Sequence, residues 1–171
     1  MTTKDKRLQP CWFVGCVRSC QEKKVAQSLA RLGVEHYLPL RRELHRWSDR
    51  NKLVECLLIP RFIFIRCTDS QRAAILAAEP RIWRFLASEG KAEVVRDSEM
   101  EAFQRMVEGN GSVRVSGENP SPGDRVRVID GPLAGMECEL VSVAGGRCLA
   151  VRLGALGTAT VELDIQTVEK I

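Results

Sequence analysis

Missing from this chain is any apolar run long enough to cross a bilayer. Its most apolar stretch, LLIPRFIFIR at 57–66, is ten residues long, against the roughly 18 that a transmembrane helix needs. The opening MTTKDKRLQP is polar and lacks the apolar core and cleavage site of a signal peptide. Histidine is scarce, with only His36 and His45, and no CxxC pair occurs among the cysteines at 11, 16, 20, 56, 67, 138 and 148. Seven cysteines without an export signal point to reduced thiols in the cytoplasm, not to a disulfide framework. Cys11, Cys16 and Cys20 are irregularly spaced, and a zinc site would have to recruit Cys56 or Cys67 from afar. No metal is therefore assigned, and the cysteines are read as small buried hydrophobes. No local signature supports a Cys/His nucleophile, and no catalytic constellation stands at useful spacing. An enzyme reading is the weakest, and no cofactor is called for.

What is present describes a folded chain. Hydrophobic content of 44% with 28% charged residues lies in the globular range, and 171 residues allow one ordinary domain or two small ones. The net charge of +4 is unevenly spread: residues 1–109 hold 20 Lys/Arg against 14 Asp/Glu, and residues 110–171 hold 6 against 8. A basic first half suits a polyanionic partner, although ordinary solvated surface explains the charge equally well.

Between the halves lies NGSVRVSGENPSPG, rich in Gly, Ser, Asn and Pro, which predicts a linker. Before it, helical and strand periods alternate. CWFVGCV is a strand candidate, followed by a helix over 21–32 with Val25, Leu29 and Leu32 on one stripe and Gly33 just beyond its end. GVEHYLPL returns to strand. RRELHRWSDRNK is polar and basic, with WSDRN as its expected turn; it reads as a hairpin reaching toward DNA or a partner, or as a solvated hairpin pinned by Trp47. LVECLL and FIFIR are strand-like runs around Pro60. A second helix is predicted over 69–78, capped by Asp69 or Ser70 and ended by Pro80. IWRFL and AEVV read as a strand pair. SEME opens a third helix through a capping box of Ser98 with Glu101, with Met100, Phe103 and Val107 as its apolar face. The order predicts an α+β architecture with a mostly antiparallel sheet and helices on it. After the linker the helical period disappears, and about five short branched-residue runs separated by DGPLAG, AGG and GALG predict a small β-barrel.

VRVIDGPLAGMECELV, preceded by Gly123-Asp124, resembles a KOW motif in an SH3-like barrel, and GTATVELDIQTVEKI resembles the closing strands of that barrel in NusG proteins. Gly131-Pro132 and Gly135 make the tight connection, because glycine permits positive φ. Cys138 departs from the motif, standing where glycine is usual. WFVGCVRSCQEKKVAQSLARLGVEHYLP resembles the opening of the NusG N-terminal (NGN) domain, and LIPRFIFIR its proline–glycine–aromatic strand, with Arg61 in place of the glycine and Phe62 of the tyrosine. RRELHRWSDRNKLVECLL resembles specialised NusG paralogues that serve long operons. The resemblance assigns residues 8–109 to an NGN-like domain, 110–121 to a flexible linker and 122–171 to a KOW barrel.

The resemblance implies a monomeric, cytoplasmic transcription elongation and antitermination factor, nucleoid-associated during transcription and not an enzyme. Such factors bind the clamp coiled coil of RNA polymerase through an apolar NGN surface and favour the elongating state over the paused one. Strand parity puts Phe62 and Phe64 on one face and Ile63 and Ile65 on the other; a strand apolar on both faces must be covered on both. By resemblance the polymerase-binding candidates are Ile59, Phe62, Phe64 and Cys16, with a core role as the alternative reading for each. Candidates for the non-template DNA strand are Arg18, Gln71, Arg72, Arg81 and Arg84, since guanidinium groups pair with phosphate and base edges and stack on bases; solvated surface is their alternative. The barrel would bind Rho or a small-subunit ribosomal protein. A general NusG-type elongation factor and a ribosome-associated KOW RNA-binding protein are the competing functions.

Overall fold

The structure, a computed structural model, describes residues 8–109, 112–162 and 167–171. The first linker residues and the LDIQ part of the expected closing strands lie outside the described residues. By internal contacts the chain divides into two units, one formed by the chain to Pro39 with Ile59–Asp97, the other by Leu40–Leu58 with Ser98–Ile171. The hairpin segment and the third helix thus group with the C-terminal half, which differs from the boundary expected near residue 110.

In the first unit, strand β1 (Cys11–Val17) leads into helix α1 (Glu22–Arg31), followed by β2 (Glu35–Tyr37). Between them and the rest of the unit runs a hairpin of β3 (Leu40–Arg46) and β4 (Asn51–Leu57), which belongs to the second unit. The first unit resumes with β5 (Phe62–Cys67), α2 (Gln71–Ala78), β6 (Ile82–Phe85), β7 (Ala87–Ser88), β8 (Lys91–Ala92) and β9 (Val94–Val95). Its main sheet has the order β2-β5-β1-β6, entirely antiparallel, with β9 also pairing β1. IWRFL and AEVV meet as a hairpin only at their near ends, where the Glu93 N–H donates to the Leu86 carbonyl at 2.8 Å and the ladder continues as Ala87↔Ala92. Each pairs with β1, and the small β7–β8 ladder turns between them at Glu89-Gly90.

Helix α1 forms because the apolar stripe read from the sequence matches its pitch. Val25 and Leu29 are fully buried, each worth about 2 kcal/mol on transfer from water. Leu32 falls past the helix end and is half exposed. Gly33 takes φ +68°, and the Val34 N–H donates to the Leu29 carbonyl at 3.0 Å, closing the terminus. Phe13, Val17, Ile63, Ile65, Cys67, Ile82 and Phe85 from the sheet meet Val25, Leu29 and Ile75 from the two helices in one core. Leu29→Ala would leave a void there and cost about 2–5 kcal/mol. Ser70 takes the N-cap position of helix α2, as expected, but its side chain makes no capping hydrogen bond. Asp69 pairs instead with Arg72, and the Gln71 side chain accepts the Thr68 N–H at 2.9 Å.

The second unit contains the β3–β4 hairpin, helix α3 (Asp97–Gly109, from Ser98 onward), β10 (Arg114–Ser116), β11 (Asp124–Val128), β12 (Glu137–Val143), β13 (Gly146–Arg152), β14 (Thr158–Glu162) and β15 (Val168–Lys170). Trp47, expected to pin the hairpin, is exposed at its turn. Helix α3 begins a residue early, placing Ser98 in its first turn; Met100, Phe103 and Met106 are its largest buried side chains, and Val107 is only partly covered. The Arg105 guanidinium donates to the Ala134 carbonyl at 2.8 Å, tying α3 to the turn that joins β11 to β12.

The last six strands form one antiparallel sheet in the order β10-β14-β13-β12-β11-β15. Gly131 and Gly135, at φ +84° and +80°, make the β11–β12 connection as the motif predicts. Strand β10 lies inside the expected linker, so only part of that stretch is loop. It pairs with β14 as Arg114↔Thr160 and Ser116↔Thr158, since ladder pairing needs only backbone groups. Gly157 permits this approach: a Cβ there would stand 1.9 Å from the Ser116 carbonyl oxygen. Cys138 is an ordinary strand residue opposite Val126, buried, and burial pushes its thiol up to about 12.

Candidate functional site

The face of the first sheet opposite α1 and α2 is built by strict alternation. Cross-strand partners share a face, so Gly15↔Ile63 and Phe13↔Ile65 go to the helical core, while Cys16↔Phe62 and Val14↔Phe64 go to the other side. Tyr37 extends that row from β2 as the partner of Phe64, their rings 6.3 Å apart. Arg84 on β6 is the partner of Cys16, and Trp12 pairs with Val95. The structure therefore brings Cys16, Phe62 and Phe64 together in one apolar row with an arginine at its edge. Phe64, Cys16 and Ile59 are 0%, 3% and 7% exposed, whereas Phe62 is only half buried. Burial raises the Cys16 thiol above its ordinary value, partly offset by the neighbouring Arg84 and Arg61.

The strand enters this face through an unusual turn. Arg61, where the related motif has glycine, adopts φ +72°. Its N–H donates to the buried Glu22 carboxylate at 2.9 Å, and its carbonyl accepts the Val17 N–H at 2.8 Å. The left-handed backbone that glycine would supply freely is retained here by hydrogen bonds on both sides of the peptide.

The nucleic-acid candidates divide by what their side chains touch. Arg81 grips Glu79 through Nε and Nη2 at 2.6 and 2.7 Å, and Glu79 is 1% exposed. Those bonds pull the Glu79 carboxyl down to about 2 against the opposing effect of burial. Arg72 is held by Asp69 and lies over the rings of Phe13 and Phe85, 5.0 and 5.8 Å from their centroids. Gln71 is occupied at the start of α2. Arg18 is exposed directly after β1, its N–H bonded to the Arg81 carbonyl at 3.1 Å. Arg84 is exposed and stacks on Trp83 at 4.6 Å. Among the described residues neither Arg18 nor Arg84 has a carboxylate partner. Sequence reading missed Trp83, an exposed indole beside an exposed guanidinium; its place between buried Ile82 and buried Phe85 on a short strand was the available signal.

One unit is thus an antiparallel α+β sheet with an apolar, arginine-edged face, and the other carries a six-stranded all-β sheet. The family model described as "Transcription termination factor nusG" matches residues 10–104, more than half of the sequence. The chain belongs to the NusG family of transcription factors, which are not enzymes. The fold is similar to that in a structure described as "Domain interaction in Thermotoga maritima NusG", at 20% identity and TM-score 0.50, over 96% of this chain and 99% of that one. A second similar structure is described as "Crystal Structure of MjSpt4:Spt5 complex conformation A", at 14% identity and TM-score 0.31, over 94% and 97% of the two chains. No curated protein matches the sequence. No helix among the described residues is long and apolar enough to cross a membrane.

Proposed function

We propose that this protein is a transcription elongation and antitermination factor that docks on RNA polymerase through the Phe62 face and suppresses pausing or termination at particular long operons. The observation carrying the reading is the cross-strand row Cys16–Phe62 and Val14–Phe64 on the side of the sheet away from its helices. Such a row suits a knob of apolar side chains like the tip of the clamp coiled coil. Phe62 offers the first contact because it is the partly exposed member, with Ile59, Phe64 and Cys16 engaged as the face opens. Arg18 and Arg84 at the edge suit the displaced non-template strand, with Trp83 as a stacking platform.

In this scheme residues 8–109 form the polymerase-binding NGN domain, and residues 122–171 form a KOW barrel that recruits Rho or a small-subunit ribosomal protein. The strand–turn–strand of β11 and β12 around Gly131 and Gly135 supports the KOW reading. Purified polymerase transcribing across a terminator, with and without the native operon leader, tests the function. Readthrough that requires the leader is the expected result. Leader-independent suppression of pausing would assign a general elongation role, and no effect on either would reject the proposal.

A further inference from the structure

The β3–β4 hairpin carries a second cluster, unrelated to the sheet face. Its register pairs Arg41↔Cys56, Glu43↔Val54 and His45↔Lys52, so Arg41, Glu43, His45, Lys52, Val54 and Cys56 share one face. On that face three ligand-type atoms converge. His45 Nε2 lies 3.3 Å from Glu43 Oε2, Cys56 Sγ lies 3.5 Å from the same Oε2, and Sγ and Nε2 are 3.9 Å apart. Glu43 and His45 come from one strand and Cys56 from the other, which is why cysteine spacing along the sequence did not reveal them.

Two physical readings compete, and geometry separates them. A nucleophilic triad needs the thiol on one imidazole nitrogen and the carboxylate on the other, so that the acid can orient the base. Here thiol and carboxylate both meet Nε2, which is the arrangement of three donors around a common point. Zinc bonds of about 2.3 Å to sulfur, 2.0–2.1 Å to nitrogen and 2.0–2.2 Å to oxygen, at tetrahedral angles, imply edges of about 3.6 Å for S–N and S–O and about 3.4 Å for N–O. The observed 3.9, 3.5 and 3.3 Å lie within about 0.3 Å of those edges.

We propose that Glu43, His45 and Cys56 bind a single divalent ion of the zinc type, with a fourth coordination position open to solvent. Thiolate, imidazole and carboxylate are the donor set that borderline divalent ions take. On binding, the Cys56 thiol releases its proton to solvent and the imidazole binds through its unprotonated Nε2. Arg41 pairs with the other carboxylate oxygen, Oε1, leaving Oε2 directed at the site and fixing its orientation as an outer partner. Arg41 and Lys52 also place positive charge on this face, so the thiolate and carboxylate together must balance the ion. The ion would staple β3 to β4 at a point where Glu43 and Cys56 are partly covered and His45 is exposed.

Titration of the reduced full-length protein with Co²⁺ tests the site, because thiolate ligation adds a charge-transfer absorption that oxygen and nitrogen ligands lack. One equivalent of Co²⁺ should give that absorption, and one equivalent of Zn²⁺ should abolish it by displacement. Cys56→Ser should eliminate the band, and His45→Gln and Glu43→Gln should each weaken binding by about tenfold or more. Cys20→Ser, which removes the exposed thiol outside the hairpin, should leave it unchanged. All four side chains are at least partly exposed, and circular dichroism confirms folding of each variant. Absence of the band in the parent protein, or its persistence in Cys56→Ser, would overturn the proposal.

Discussion

The carboxylate of Glu22, at 2% exposure, accepts the backbone N–H of Arg61 at 2.9 Å across 39 residues of sequence. This bond joins the start of α1 to the entrance of β5, and it holds a non-glycine residue at φ +72°. Left-handed backbone costs an L residue about 1–2 kcal/mol, and a buried donor left without an acceptor costs about 1–3 kcal/mol. Glu22→Ala should therefore destabilise the protein by about 2 kcal/mol, and Glu22→Gln by less, since an amide oxygen still accepts. Arg61→Gly should stabilise it by roughly 0.5–1 kcal/mol, the relieved strain exceeding the entropy that glycine adds to the unfolded chain. Urea unfolding of the three variants checks the set. Loss of stability in Arg61→Gly would show that the Arg61 side chain contributes more than its backbone strain costs.

The Glu79–Arg81 pair governs behaviour in acid. Hydrogen bonds from Arg81 lower the folded-state value of Glu79 from 4.5 to about 2, with Ser28 assisting and burial opposing. A depressed folded value means that the stabilisation is complete above the unfolded value and is lost as pH falls through the folded one. The window therefore runs from about pH 4.5 down to about pH 2, and the total at stake is about 3 kcal/mol. Glu79→Gln should flatten the stability profile across that window, measured as the urea midpoint at successive pH values. An unchanged acid slope would place the pH dependence elsewhere.

The same pair sorts the arginines. Arg81→Glu removes the partner of the buried Glu79 and sets a second carboxylate against it. Arg72→Glu loses both Asp69 and two aromatic rings. These two variants should melt earlier than the parent, whatever they do to DNA. Arg18→Glu and Arg84→Glu should keep the parent's melting temperature and weaken crosslinking to the non-template strand in a reconstituted elongation complex. Undiminished crosslinking in the Arg18/Arg84 double variant would remove DNA contact from this edge.

Thiol chemistry offers a check on the cores of both units. Burial raises Cys67 to about 11 and Cys138 to about 12. Both should resist alkylation at about pH 8, because the thiolate is the reactive species. Cys20 is the exposed cysteine and should react first. Mass spectrometry after brief alkylation reads the order, and early labelling of Cys138 would mean that β12 opens readily.

What could be read in the sequence was what repeats along one element. Alternation on β5 separated Ile63 and Ile65 from Phe62 and Phe64, and the 3.6-residue stripe located α1 through Val25 and Leu29. Pairings between distant segments were not legible: β6 and β9 each choose β1 over each other, and β10 is recruited from a glycine- and serine-rich stretch by backbone groups alone. For the candidate site, residue type suggested arginines for DNA, but it could not show that Arg81 answers a buried carboxylate or that Arg72 lies over Phe13 and Phe85. Glu43, His45 and Cys56 escaped notice for the same reason, since only the hairpin register places them together.

Phe62 and Phe64 give the sharpest test of the proposed interface, because they share a face and differ in cover. Phe64 is fully buried, so Phe64→Asp would leave an unpaired charge in an apolar setting and should unfold the first unit. Phe62 is partly exposed, and an aspartate there can turn to water. Phe62→Asp should keep the parent's circular dichroism and melting temperature while polymerase capture falls by about 30-fold or more, the loss that a hot-spot aromatic worth about 2 kcal/mol carries. Phe62→Leu, which keeps apolar area, should retain much of the binding. A folded Phe62→Asp protein with undiminished capture would move the polymerase contact off this face, and loss of the fold in that variant would make Phe62 part of the core.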